Sequence, residues 1–331
     1  MSWINELKAD PIEWLLETSN PSVRYWALLD ILDREPNDPD VTKARGSIMA
    51  SEPVKTILSA QDPSGHWCKA DDMYLPKYKA TTHQLLILAE LGASRTPAVE
   101  RAVEHIYRFQ RLSGHFLTEL PKTEQGRAST VKDGCCLDGN VLHYLIHFGY
   151  LGDPHTERLL SFILSYHDPE NAGWKCRSYP INKDAVFPAN CYMGAAKVLK
   201  ALSTMPEKSR TPEIKALMGR EVENILENGV YRYLRNSDGS RKDKAGWKRF
   251  GFPLFYQSDA LEVLDTLTRL GVKDDRMQDT VELVKAAQQD NGSWLLKDSF
   301  NGKMWVDIEE KNNPSKWITL RALRSLKRFY R

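Results

Sequence analysis

Residues 61–67 read Gln-Asp-Pro-Ser-Gly-His-Trp, and residues 288–294 read Gln-Gln-Asp-Asn-Gly-Ser-Trp. Both fit Q-x-x-x-G-x-W. Residues 110–116 keep the pattern with Phe116 in the tryptophan's place. The stretches from His167 to Trp174 and from Glu227 to Tyr231 are degenerate versions. Such a phrase has the chemistry of a helix end. A glycine at positive φ closes the helix and the aromatic ring packs back between adjacent helices. The glutamine amide satisfies backbone groups at a neighbouring helix end. One copy would say little. Three good copies, each where an amphipathic pattern stops, mark a repeat.

Outward from these turns the periodicity is helical nearly throughout. Residues 79–91 are apolar almost all round and stop at Gly92. Residues 97–110 open with Pro97 after Thr96 and place Val99, Val103 and Ile106 on one face. The alternation continues through 133–148, 154–166, 188–202, 212–227, 253–270, 275–289 and 314–329, with 21–33 and 40–60 as the first pair. A helix apolar all round is buried, and an amphipathic one covers it. Inner candidates begin near 21, 79, 133, 188, 253 and 314, a period of roughly 50–65 residues. The expected fold is all-α.

On these turns and this alternation, the chain resembles the superfamily of squalene and oxidosqualene cyclases, other class II terpene cyclases and protein prenyltransferase β subunits. The resemblance covers nearly the whole chain. Residues 250–271 and 315–326 look like the small bacterial and archaeal branch, in which one toroid of unassigned chemistry stands alone. The resemblance implies an α/α toroid, an (α/α)6 barrel of inner and outer helices, as one domain over residues 1–331. It places the pocket in the central cavity, at the rim where the inner helices start. It implies an enzyme acting on an apolar, isoprenoid-like small molecule by cyclisation, isomerisation, hydration or transfer. The alternative is a non-catalytic toroid that binds a lipid or peptide. A carbohydrate hydrolase or lyase with paired carboxylates is disfavoured by the scarcity of acids in the inner helices.

The cyclase acid motif, Asp-x-Asp-Asp, is absent. The prenyltransferase zinc ligands are Asp, Cys and His; Asp133 and Cys135 match the first two by resemblance, but Ala189 stands at the histidine position. The five cysteines all precede residue 192. They are too few and too odd for a disulfide scaffold. Cys136, Cys176 and Cys191 fall on one expected rim and form the candidate metal set, with zinc as the ion that thiolates would suit. Asp133, Cys136, Asp259 and His83 are the candidate catalytic residues. Cys136 sits in a helix first turn, where backbone donors favour a thiolate. His83 lies near the start of an inner helix. Tyr78, Tyr192, Trp247, Phe255, Tyr256, Trp305 and Trp317 are the candidate substrate-binding aromatics, whose faces suit apolar ligands and cationic intermediates. His143 and His147, spaced i,i+4, read as packed core histidines among apolar neighbours. The basic connection 232–250 is a further candidate for an anionic group.

Charge and length exclude other classes. The 331 residues carry 46 Lys+Arg against 44 Asp+Glu, a net charge of +2, which is not the basic excess of a dedicated nucleic-acid binder. No run of about 18 apolar residues is present, so no transmembrane segment is expected. The first residues mix acids into their apolar stretch and lack a signal-peptide core. The expected location is therefore cytoplasmic.

Overall fold

The computed structural model describes residues 3–121, 123, 134–175 and 190–331. Its helices are α1 Ile12–Leu15, α2 Pro21–Asp30, α3 Pro39–Ile48, α4 Glu52–Ser59, α5 Thr81–Glu90, α6 Pro97–Tyr107, α7 Cys135–His147, α8 Pro154–Ser165, α9 Tyr192–Thr204, α10 Pro212–Glu227, α11 Ala260–Arg269, α12 Gln278–Ala286 and α13 Lys316–Tyr330. Two short antiparallel strand pairs, β1 Leu234–Arg235 with β2 Arg241–Lys242 and β3 Trp294–Leu295 with β4 Pro314–Ser315, and four 3-10 turns complete the described secondary structure.

The inner helices are α2, α5, α7, α9, α11 and α13. Neighbours pack in order from α5 to α13, and α13 returns onto α2. All six line a single central cavity, which closes the ring. The outer helices α3, α6, α8, α10 and α12 each cover the inner helix before them. The sixth outer place, over α13, is taken by the N-terminal segment containing α1 and the 3-10 turn Trp3–Glu6. The architecture is the expected α/α toroid.

Local sequence explains the helix ends. α3, α6, α8 and α10 begin with proline, behind Asp38, Thr96, Asp153 and Thr211, whose side chains accept from first-turn backbone N–H groups. Two expected boundaries move. The stretch 40–60 breaks into α3 and α4. The stretch 253–270 becomes helical only at Ala260, because Asp259 is the cap: its Oδ1 accepts from Glu262 N at 2.7 Å.

The repeated turns are the ring's joints. Gln61 Nε2 donates to Gly65 O (3.0 Å) and to Ala98 O (2.9 Å), in the first turn of the next outer helix. Gln110 does the same to Gly114 O and His155 O, and Gln288 to Gly292 O and Ala9 O. The glycines allow the approach: a Cβ on Gly114, at φ +107°, would lie 2.2 Å from Arg158 O. The indoles of Trp67, Trp174 and Trp294 reach back to Ile57 O, Ile163 O and Val284 O. The backbone N–H groups of Trp67, Phe116 and Trp294 donate to Thr81, Asp138 and Thr319 on the inner helices. Each joint thus ties its own outer helix, the next outer helix and an inner helix together.

Candidate functional site

The inner helices all start at one rim, and a cavity of about 430 Å³ opens there. Its walls come from the first turns of α5 and α7, the connection after Trp67, and residues 250–259. The last segment crosses the rim in extended form. Gly251 N donates to Asp259 Oδ2 (2.8 Å), and Asn140 Nδ2 to Phe255 O (3.0 Å), which fixes Phe255 and Tyr256 against the cavity. On the other wall, Asp72 Oδ1 accepts from Tyr74 N and Leu75 N, holding Tyr74 and Leu75 over the opening. Leu86 and Leu137 form the apolar floor, and Asp72, Lys77 and Glu119 contribute charge.

His83 is the central polar group of this wall. Its ring lies among Tyr74 (centroids 4.8 Å apart), Tyr78 (5.8 Å) and Phe255 (5.1 Å), and Tyr78 is itself stacked on Phe300 at 4.1 Å. Burial, helped by the Lys77 charge, pushes His83 down to about 3, so the imidazole is neutral at ordinary pH. Its Nδ1 is buried with no hydrogen-bond partner. Cys136 lines the same cavity from the first turn of α7.

The structure sorts the sequence candidates into separate places. His83, Cys136, Phe255 and Tyr256 meet at the rim cavity, with Tyr78 directly behind His83 and Phe255. Trp305 is partly exposed and donates to Lys79 O (3.0 Å). Tyr192 and Trp247 belong to a different cluster, packed with Tyr233, and the Tyr192 hydroxyl donates to Val230 O. Trp317 stacks on Phe252 and lines the deeper central cavity. Asp259 spends both oxygens on backbone N–H groups. Burial raises it to about 6, against the lowering effect of Arg321.

Asp133 and Cys176 lie outside the described residues. Cys135, Cys136 and Cys191 gather at the α7–α9 contact, where a Cβ on Gly194 would meet Cys135 Cβ at 3.3 Å and Cys191 Cβ at 3.6 Å. Cys191 caps α9 by accepting from Gly194 N (3.4 Å). Among the described residues no three His, Cys, Asp or Glu side chains lie close enough to hold a metal ion. The basic connection 232–250 is partly neutralised: Arg232 pairs with Asp243 and Asp279, and Lys248 with Asp243.

Below the rim cavity is a second one of about 240 Å³, lined by charged residues that the sequence reading did not single out. Glu90 takes Lys200, Glu262 takes Lys197 (2.6 Å) and Lys200 (2.9 Å), and Asp265 takes Arg324 and Arg328. The expected scarcity of inner-helix acids is thus corrected: Glu90, Asp138, Glu262 and Asp265 are all on inner helices, and the last three are buried. The apolar surroundings expected for His143 are corrected too, since its Nε2 faces Glu90 at 3.4 Å. His147 Nε2 donates to Ala93 O (2.9 Å). The missed signal was periodic: Glu262, Asp265 and Arg269 on α11, and Arg321, Arg324 and Arg328 on α13, recur at three- and four-residue steps. That spacing puts charge on one face of a helix that packing forces inward.

No family model and no curated protein sequence matches this chain. Similar solved structures include a variant of type II terpene cyclase MstE from Scytonema with its substrate geranylgeranyl dihydroxybenzoate. It is 13% identical, with 94% of this chain and 87% of that one covered, at TM-score 0.49. An unsaturated glucuronyl hydrolase specific for heparin is 13% identical over 97% of this chain and 86% of that one, at TM-score 0.47. A protein from Actinoplanes is 14% identical over 94% and 90%, at TM-score 0.44. Likeness at this level says nothing about the chemistry of this chain. No helix among the described residues is long and apolar enough to cross a membrane.

Proposed function

We propose that the protein is an enzyme that takes an apolar, isoprenoid-like small molecule into the rim cavity and moves a proton through His83. The observation that carries this reading is a neutral, buried imidazole set among aromatic rings on the wall of that cavity. The volume of about 430 Å³ falls in the ~300–1,000 Å³ range of small-molecule pockets.

The low basicity of His83 narrows the chemistry. A base whose conjugate acid has a pKa near 3 is too weak for an ordinary C–H bond. It suffices for a C–H bond next to a cationic carbon, which is a far stronger acid. In that step the C–H electron pair becomes the C=C bond and the proton passes to the imidazole. The face of Phe255 stabilises the preceding cation, whereas Tyr74 and Tyr256 already face the Lys77 ammonium, 6.0 and 5.3 Å from their ring centroids. The closing deprotonation of a cation formed when the substrate loses its own anionic leaving group has this form: the leaving group departs with the C–X electron pair, and the proton lost on forming the C=C bond passes to His83.

The test incubates the purified protein with a panel of polyprenyl compounds and follows products by mass spectrometry, beside binding of a fluorescent apolar probe. His83→Asn should retain probe binding and lose about 100-fold or more in turnover, the usual scale for a proton-transfer group. Binding without turnover by the wild type would instead identify a lipid- or peptide-binding module. No binding at the rim would overturn the reading.

A further inference from the structure

The loop 296–313 joins β3 to β4 and belongs to no helix pair. Its neck is closed by Leu296 N on Asn313 O (3.0 Å) and Asn312 N on Leu296 O (2.7 Å). Inside it, Gly302 N donates to Asp307 Oδ1 (2.9 Å) and Asn301 Nδ2 to Glu309 O (2.8 Å). Glu309 Oε1 accepts from Lys316 N (2.7 Å), which ties the loop to the first turn of α13. A loop with close ends, held by its own side chains, has the build of a functional element and not of slack chain.

Two sets of contacts lead from the loop to the walls of the rim cavity. Toward residues 250–259, Lys297 N donates to Phe250 O (2.9 Å), and Asp298 O accepts from Phe252 N (3.3 Å). Toward the connection before α5, Trp305 Nε1 donates to Lys79 O (3.0 Å), and the Lys79 ammonium lies 5.2 Å from the Trp305 ring centroid. Phe300 stands where the two walls meet. Its ring stacks on Tyr78 at 4.1 Å and lies 5.4 Å from that of Phe255. Both of those rings in turn pack on His83.

Tyr78 is the residue that needs holding. Its φ is +72°, a left-handed conformation that a bulky side chain seldom adopts. Such a conformation persists only where the surroundings over-determine it. Here Gln84 Nε2 donates to Tyr78 O (2.8 Å), and the Phe300 stack fixes the ring.

We propose that the loop 296–313 is a brace for this wall, in which Phe300 and Trp305 are positioning residues that act on His83 through Tyr78 and Lys79. The assignment rests on His83 as the proton-moving group. With the brace in place, the Tyr78 ring covers one side of the imidazole and keeps water from it. Without it, Tyr78 relaxes and that side opens. The charged groups lining the cavity with His83 are Asp72, Lys77 and Glu119, and its other titratable ones are Tyr74, Tyr256 and Cys136. None of these is on the loop, and Phe300 and Trp305 carry no charge, so replacing them reaches the imidazole through packing alone.

The test pairs NMR titration of the His83 ring in the full-length protein with turnover on the polyprenyl panel. Phe300→Ala should raise the His83 midpoint by about two pH units, about a hundredfold in proton affinity, as water replaces the ring stack. Its turnover should fall by roughly tenfold or more, the effect of a misplaced reacting group, with apolar-probe affinity kept within about twofold. Phe300→Tyr keeps the stacking face and should restore both readouts. Trp305→Ala, at a partly exposed position, should move them in the same direction as Phe300→Ala and guards against a variant that merely fails to fold. Lys303→Ala, exposed on the same loop, should move neither. A His83 midpoint unchanged in folded Phe300→Ala and Trp305→Ala overturns the brace. A wild type that turns nothing over, with the midpoint moved in those two variants, upholds the brace and overturns the proposed reaction instead.

Discussion

The two cavities lie one above the other on the same helices, yet they are built by opposite means. On α5, His83 and Leu86 face the rim cavity, and Glu90 faces the lower one. On α7, Cys136, Leu137 and Asn140 face the rim, and His143, Ile146 and His147 face below. The upper cavity keeps its central polar group neutral by enclosing it in aromatic rings. The lower keeps its groups charged by pairing them: burial raises Glu262, but Lys197, Lys200 and Arg321 outweigh it and hold the carboxyl at about 2. One or two helical turns separate a wall of aromatic rings from a network of paired charges. The comparison teaches that a toroid's inner face is not a single environment.

Apolar replacement should sharpen the contrast. Lys197→Met leaves buried Glu262 with Lys200 as its remaining ion pair, and should destabilise the fold by about 3–5 kcal/mol in denaturant titrations, as breaking one side of a buried pair does. The double change Lys197→Met with Glu262→Gln should recover much of that loss. If the single variant costs under ~1 kcal/mol, the network is not buried in the way described.

The rim should respond mainly through pH. The unfolded chain protonates His83 near the ordinary histidine value, whereas the folded chain does so only near 3. Between these limits the unfolded state binds the extra proton, so His83 costs stability as pH falls. His83→Leu removes that cost. Moving from about pH 7.5 to about pH 5 should favour the variant over the wild type by about 2 kcal/mol. An unchanged difference between the two pH values would break the assignment of a neutral buried imidazole.

At neutral pH the same replacement should be nearly silent. His83 has an unpartnered Nδ1 and apolar neighbours, so His83→Leu should shift stability by under about 1.5 kcal/mol, the range of volume-conserving core swaps. The smallest effect expected is none: the His83 ring resonances should not move in NMR spectra between about pH 8 and about pH 5. A midpoint near the ordinary histidine value would show the aromatic box to be open to water.

The ring was legible in the sequence because its joints are local and chemically particular. A glutamine, a glycine and an aromatic at fixed offsets leave little freedom, and Gly65, Gly114 and Gly292 all take positive φ. The rim candidates His83, Cys136, Phe255 and Tyr256 were also legible, since each sits near the start of an inner element. Tyr192 and Trp247 were harder to place, because aromatic residues of one rim divide among clusters that only packing decides. The lower network was only partly legible: the charge steps on α11 and α13 carry it, but Glu90 and Lys200 occur near the ends of otherwise apolar helices, where charge ordinarily marks an exposed tip. Only ring closure turns those tips toward each other.

The glutamine joints have a further consequence for the order in which the ring comes together. Gln61 reaches Ala98 across 37 residues and Gln110 reaches His155 across 45, but Gln288 reaches Ala9 across 279. Bonds of the same kind therefore close loops of very different length. By loop-closure scaling, the longest costs about 2 kcal/mol more chain entropy than the shortest. On that cost alone, the seam between the N-terminal segment and the turn at Gly292 should form last and open first, yielding to heat before the cavities do.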